Sequence, residues 1–262
     1  MRQPPYVIKG NGFMLKKERQ AYILHQLNLH NKVLSATLSS EISVSEDTIR
    51  RDLLELSEDG KLIKVHGGAL SHSFSNNGFY PTRIYAQTSK KIIGQKAAAL
   101  IKDGMFVLTG GGTTVLEFAK AIPPAVKASF VSGSIAAITE YMHHPNLDVL
   151  VLGDRVSKTA MMTVGMDAIN KLKHIKADLC IMGINAIDIL HGITDNDWDV
   201  VQVKQQMIES AQKTVCISIS EKLNSFQPVH VCAIKKVHTL ITELDPGDPL
   251  LKPYADAGLN IL

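Results

Sequence analysis

Apolar residues recur at helical spacing near the start of the chain and as short continuous runs further on, and this change of period divides the sequence in two. Ile23, Leu24 and Leu27 follow the charged turn Lys16, Lys17, Glu18 and Arg19, which predicts an amphipathic helix over residues 16–30. A second, shorter helix is expected over 34–40, with Glu41-Ile42-Ser43-Val44 turning the chain. Ser45 reads as the N-cap of a third helix, and Glu46 and Asp47 put negative charge in its first turn, where free N–H groups and the helix dipole favour it. That helix should run to about residue 59 and stop at Gly60. Ile49, Leu53 and Leu56 form its apolar stripe; at about 100° per residue, Arg51 points away from the stripe, flanked by Thr48 and Arg50. After Gly60, residues 61–68 read as a short basic strand ending in Gly67-Gly68, one arm of a wing.

A short helix, a tight turn and a capped helix with arginines near its start is the arrangement that places a recognition helix in the major groove. The candidate DNA-binding residues are therefore Ser45, Thr48, Arg50 and Arg51 on the third helix, with Lys61, Lys64, His66 and Gly67 supporting from the wing. For the arginines alone, ion pairs with Asp52 or Glu55 on a solvated face are an equal alternative.

Beyond a stretch rich in Ser, Asn and Gly, helical segments alternate with apolar runs at 106–108, 129–131, 149–152, 179–182, 215–219 and 239–241. Such runs between helices indicate a parallel sheet covered on both faces, so the overall class is α/β with a small winged helix-turn-helix domain in front. The expected division is a loose tail over 1–13, a DNA-binding domain over 14–72, a linker over 73–85 and an α/β domain over 86–262, with Met14 a possible natural start. In open parallel sheets ligands bind beyond the carboxyl ends of the strands. There the chain carries Thr109-Gly110-Gly111-Gly112-Thr113-Thr114, a glycine turn into a helix that either cradles an anion or simply connects. Ser132-Gly133-Ser134, Gly153-Asp154-Arg155 and Gly183-Ile184-Asn185 are suited to line the same pocket, and Lys204 and Lys222 could add positive charge. The candidate effector site is thus Gly110, Gly111, Gly112, Thr113, Thr114, Ser132, Gly133, Gly183, Lys204 and Lys222.

Composition narrows this only a little. A net charge of +3 over 262 residues excludes a histone-like polycation, so any DNA contact must be local. No apolar run reaches membrane-spanning length and no secretion-signal order opens the chain, which places it in the cytoplasm. Cys180, Cys216 and Cys232 are odd in number and embedded in apolar runs, and are expected to be reduced core residues. The histidines lack metal-ligand spacing, and neither a metal nor a cofactor is expected.

Thr48-Ile49-Arg50-Arg51-Asp52-Leu53, then Leu56, Gly60 and His66-Gly67-Gly68-Ala69, is similar to the signature of the DeoR family of bacterial sugar-metabolism regulators. The resemblance extends onward through Ile93-Gly94, Asp103-Gly104-Met105, Gly112-Thr113-Thr114, Ala177-Asp178, Gly192-Ile193-Thr194, Val203-Lys204 and Ser220-Glu221-Lys222. It implies a winged helix-turn-helix that binds operator DNA, usually as a repressor, and a sensor domain related to ribose-5-phosphate isomerase and CoA transferases that binds a phosphorylated sugar. The chain departs from the family pattern at Thr109 and Gly111 (usually Asp and Ser), Ser132-Gly133 (Thr-Asn), Asp154 (Gly), Val200 (Glu) and Ile219 (Asp). Those losses remove groups that would bond sugar hydroxyls, so either the effector is a less polar anion or the sensor no longer takes the family's sugar phosphates. The rival class is a sugar-phosphate isomerase or CoA transferase, which would need a positioned carboxylate among the residues replaced; an interaction module without either function is the third. Symmetric operators require a homo-oligomer, a dimer or tetramer, whose DNA-binding domains respond allosterically to the effector.

Overall fold

The computed structural model describes residues 14–30, 32–71 and 84–262. The expected tail over 1–13 and most of the expected linker lie outside the described residues. Two compact units make up the chain, Met1–Tyr85 and Ala86–Leu262.

In the first unit, α1 (Lys16–His30) and α3 (Glu46–Glu58) start and end close to where the apolar spacing places them, whereas the middle of the unit differs. Residues Lys32–Leu34 form a strand, β1, and the second helix is α2 (Ser35–Ile42), so the expected helical start at 34 and the turn at Glu41 are both displaced. The reason is tertiary. Strands β2 (Ile63–Val65) and β3 (Gly68–Leu70) form the wing hairpin, and β1 joins its β3 edge with Val33 opposite Ala69. Gly68 permits that approach, because a Cβ there would overlap the Val33 carbonyl. Ser43 then ends α2 in the left-handed region, φ 53°. Ile23, Leu27, Leu38, Ile49, Leu53, Leu56 and Leu62 close one core, each contributing roughly 1.5–3 kcal/mol of burial.

The second unit runs α4 (Gln87–Ala98), β4 (Phe106–Thr109), α5 (Thr113–Ala121), β5 (Ala128–Ser132), α6 (Ile135–Met142) and β6 (Leu147–Val151). There follow β7 (Arg155–Ser157), β8 (Met162–Val164), α7 (Met166–Lys173), β9 (Ala177–Gly183), β10 (Ala186–Asp188), β11 (Gly192–Asp195) and α8 (Trp198–Glu209). The unit closes with β12 (Ala211–Ile217), β13 (Val229–Cys232), β14 (Thr239–Ile241), α9 (Lys252–Asp256) and β15 (Asn260–Ile261). Seven strands form one parallel sheet in the order β15-β14-β12-β9-β4-β5-β6. Each of the six expected apolar runs lies on one of its strands, those at 149–152 and 215–219 overrunning the ends of β6 and β12. Leu108, Val131, Cys180, Met182 and Cys216 pack with Leu172, Val203 and Met207 of α7 and α8. Toward α5 and α6, Phe130 sits between Phe118 and Tyr141, with ring centroids 6.2 and 4.8 Å apart. The three cysteines are buried and unpaired to sulfur. The hairpin β7–β8 and the antiparallel sheet β10-β11-β13 have strands of three or four residues, too short for the apolar pattern to reveal.

The strand order fixes where a ligand belongs. From β4 the chain winds outward to β5 and β6, then returns to β9 on the other side of β4 and winds outward the opposite way. The carboxyl ends of β4 and β9 therefore flank a topological switch point, where adjacent connections diverge and leave a crevice.

Candidate nucleic-acid interface and effector pocket

The Ser45 hydroxyl accepts the Thr48 N–H at 3.3 Å and lies 2.9 Å from the Thr48 hydroxyl, an N-cap that fixes the start of α3. With Ile49, Leu53 and Leu56 buried, the stripe turns Arg50 and Arg51 to solvent. The pairing alternative does not take the form expected of it. Arg50 bonds Asp47 at 2.8 Å and Glu46 at 3.3 Å, within its own first turns. Asp52 instead holds Arg19, and Glu55 holds Lys16 and Gln20 of α1. Among the described residues Arg51 has no ion-pair partner. In the wing, Lys64, His66 and Gly67 are exposed at the hairpin turn, Gly67 at φ +76°, while Lys61 is tied to Asp59 at 2.8 Å. Arg51, Lys64 and His66 thus have free reach, whereas the half-buried Thr48 shares its hydroxyl with Ser45 and Arg50 and Lys61 must first leave exposed pairs that hold them by little.

At the switch point, Gly110 donates its N–H to the Ile181 carbonyl at 3.0 Å, joining the glycine turn to β9. Gly112, at φ +104°, opens α5, and Thr113 and Thr114 lie in its first turn, where N–H groups have no intrahelical acceptor. Gly183 faces this turn closely: a Cβ there would stand 2.7 Å from the Gly111 oxygen and 3.3 Å from Val115 Cγ2. Lys204 donates to the Gly183 carbonyl at 2.9 Å and to Asp195 at 2.8 Å, and Lys222 donates to the Ile184 carbonyl at 3.1 Å. Two ammonium groups therefore bracket the exit of β9 beside the glycine turn.

The charges are strongly perturbed. Lys222 is lowered to about 7, first by burial, then by the like charges of Lys90 and Lys204, with Asp195 opposing. Lys90 is lowered to about 8 by burial, against the pull of Glu221 and Glu117. Burial would raise Asp195, but Lys204 and hydrogen bonds from Asn196 and Asn185 hold its carboxyl below the usual range. Carboxylates stand beside two of these lysines, Asp195 on Lys204 and Glu221 and Glu117 near Lys90, whereas Lys222, half-buried and bonded to the Ile184 carbonyl rather than to a carboxylate, is the ammonium best placed to take an anion.

Other expected pocket residues do different work. The Ser132 hydroxyl is committed to the Thr109 carbonyl and the Ser134 N–H, both at 3.1 Å. Gly133 lies against Thr163 of β8, which donates its N–H to the Gly133 carbonyl at 2.8 Å. Asp154 is spent on α7, accepting the Asp167 N–H at 2.8 Å and the Ala168 N–H at 3.2 Å. Val200 and Ile219 are buried apolar residues, and the Thr109 hydroxyl is sealed beneath the turn beside Tyr141. Lost carboxylates return from elsewhere: Asp195 on Lys204, and Glu243, which accepts the Ser220 hydroxyl at 2.6 Å. Asp195 and Lys90 were missed. Lys90 shares the stripe of Ile93 and Ala97, and a lysine on a buried helical face was the available signal; Asp195 stands in a polar run that hides it.

A capped, outward-facing helix beside a wing, followed by a parallel sheet with a cationic switch point, defines a ligand-sensing DNA-binding regulator. Residues 19–74 match the DeoR-like helix-turn-helix domain and residues 86–244 the DeoR C terminal sensor domain. The chain belongs to the DeoR family of transcriptional regulators, which are not enzymes. It is 28% identical over 252 residues to the HTH-type transcriptional regulator GolR of Listeria innocua, covering 95% of this chain and 98% of that one. It is 30% identical over 224 residues to the glycerol-3-phosphate regulon repressor of Haemophilus influenzae, covering 81% and 88%. Ribose 5-phosphate isomerase A of Methanocaldococcus jannaschii overlaps with a TM-score of 0.40 and 15% identity, over 53% of this chain and 55% of that one. Among the described residues no helix is long and apolar enough to cross a membrane.

Proposed function

We propose that this regulator represses genes of carbohydrate metabolism and is released from, or tightened on, its operator by a small anionic effector, a phosphorylated sugar or a related phosphate. The observation that carries the effector class is the convergence of Lys204 and Lys222 on the exit of β9, opposite the first turn of α5. The repressor of glycerol-3-phosphate genes among its relatives supports the phosphorylated class. Asp195 and Asn185 stand beside these lysines and supply the acceptor and amide that a polyol needs, so the altered positions at Thr109, Ser132 and Ile219 do not empty the pocket of polar groups.

Recognition of DNA falls to the exposed start of α3. Thr48 and Arg51 would meet base edges, with Arg50 and Ser45 on base or phosphate and Lys61, Lys64, His66 and Gly67 along the backbone. A dimer or tetramer would set two such helices on a symmetric operator. The test is selection of bound sequences from randomised duplex DNA by the full chain, then retention of the selected duplex with and without a panel of sugar phosphates. Enrichment of an inverted repeat whose retention changes with one of them fits the proposal; no enriched sequence, or retention blind to every phosphate, contradicts it.

A further inference from the structure

The second unit begins at Ala86, whose backbone is left-handed, φ 49° and ψ 42°, a region that disfavours any residue with a Cβ. Its carbonyl accepts the Lys90 N–H at 3.0 Å, so the strained residue is stitched to the turn that carries Lys90. The Lys90 side chain runs inward, 6% exposed, and its ammonium lies within electrostatic range of Glu221, Glu117 and Lys222.

The rest of α4 is clamped. Gly94 lies against α5 so tightly that a Cβ would stand 2.7 Å from the Glu117 carbonyl carbon and oxygen. Lys96 donates to the carbonyls of Thr242 at 2.9 Å and Leu244 at 2.7 Å, pinning the helix beyond the end of β14. Any adjustment of Lys90 therefore falls on the first turn of α4 and on Ala86.

We propose that Lys90 is a further ligand of the effector's anionic group, and that its engagement resets the backbone at Ala86, the covalent route from the sensor to the DNA-binding unit. The proposal rests on the reading of Lys204 and Lys222 as the anion site. Without effector, Lys90 and Lys222 repel; a dianion between them, such as a phosphate monoester, turns that repulsion into shared attraction. Because the left-handed state of an alanine is sparsely populated, Ala86 has a discrete alternative to move to rather than a continuum.

The full chain is titrated with inorganic phosphate at constant ionic strength near pH 7, reading melting temperature and retention of a selected duplex, for wild type, Lys90→Gln, Lys204→Met, Ala86→Gly and, as a surface control, Lys171→Gln. Lys90→Gln should weaken phosphate binding roughly tenfold or more, the loss of one charge-assisted hydrogen bond. Ala86→Gly should bind phosphate within about twofold of wild type yet lose most of phosphate's effect on the duplex, because coupling and affinity are separable quantities. Lys171→Gln should match wild type in both. Wild-type phosphate binding by Lys90→Gln, with Lys204→Met deficient, overturns the role of Lys90 and leaves the anion site standing. No phosphate binding by wild type, or full binding by both lysine variants, overturns the anion site and this inference with it. If Lys90→Gln fails to fold, Ala86→Gly decides: unchanged coupling overturns the proposal.

Discussion

Arg19 of α1 grips Asp52 of α3 with one edge of its guanidinium, Nη2 donating to Oδ1 at 3.1 Å and Nε to Oδ2, and Asp52 is only 2% exposed. The residue next to the two arginines of α3 is therefore spent on fixing that helix to α1. Removing one partner of a buried pair leaves the other charge stranded, so Asp52→Ala should lower the stability of the first unit by roughly 3 kcal/mol. Urea unfolding of the variant measures it.

Ser45 caps the same helix through the Thr48 N–H. Ser45→Ala should cost about 1 kcal/mol in that unfolding experiment, whereas Ser45→Asp should cost much less, since a carboxylate also caps and suits the helix dipole.

The recognition helix was legible in the sequence because its features are local: a cap, an apolar stripe and a terminal glycine lie within sixteen residues. The parallel strands were legible because burial on both faces makes them continuous apolar runs. What was hidden depends on distant partners. Lys32–Leu34 is a strand only because Gly68 and Ala69 come to meet it. Asp154 looks like a pocket residue until Gly165, at φ +131° and with no room for a Cβ beside that carboxylate, brings the start of α7 onto it. Asp195 gains its meaning from Lys204, nine residues on and in another element.

Lys222, held near 7 by burial and by Lys90 and Lys204, sets a pH dependence. A bound anion favours its protonated form, so affinity for sulfate, whose charge is constant over the range, should fall between about pH 6.5 and about pH 8.5. Without anion the sign reverses. The unfolded lysine keeps its proton up to 10.5, so between 7 and 10.5 the unfolded state binds more protons and this group makes the folded chain more stable as pH rises. Melting temperatures with and without sulfate at the two pH values check both signs.

Gly183→Ala places a methyl group against the Gly111 oxygen and Val115. Backbone must shift to admit it, which should cost about 1–3 kcal/mol of stability and weaken anion binding by separating the glycine turn from β9. Thermal unfolding in the presence and absence of phosphate reads both effects.

The most direct trial of the DNA-recognition assignment is Arg51→Ala, measured as affinity and base preference on duplexes selected by the wild-type chain. Arg51 is exposed and has no ion-pair partner among the described residues, so its loss should leave folding intact. Binding should weaken by about 1–3 kcal/mol and preference should relax at one position of each half-site. An affinity and a base preference identical to wild type would mean that this face of α3 does not read the operator.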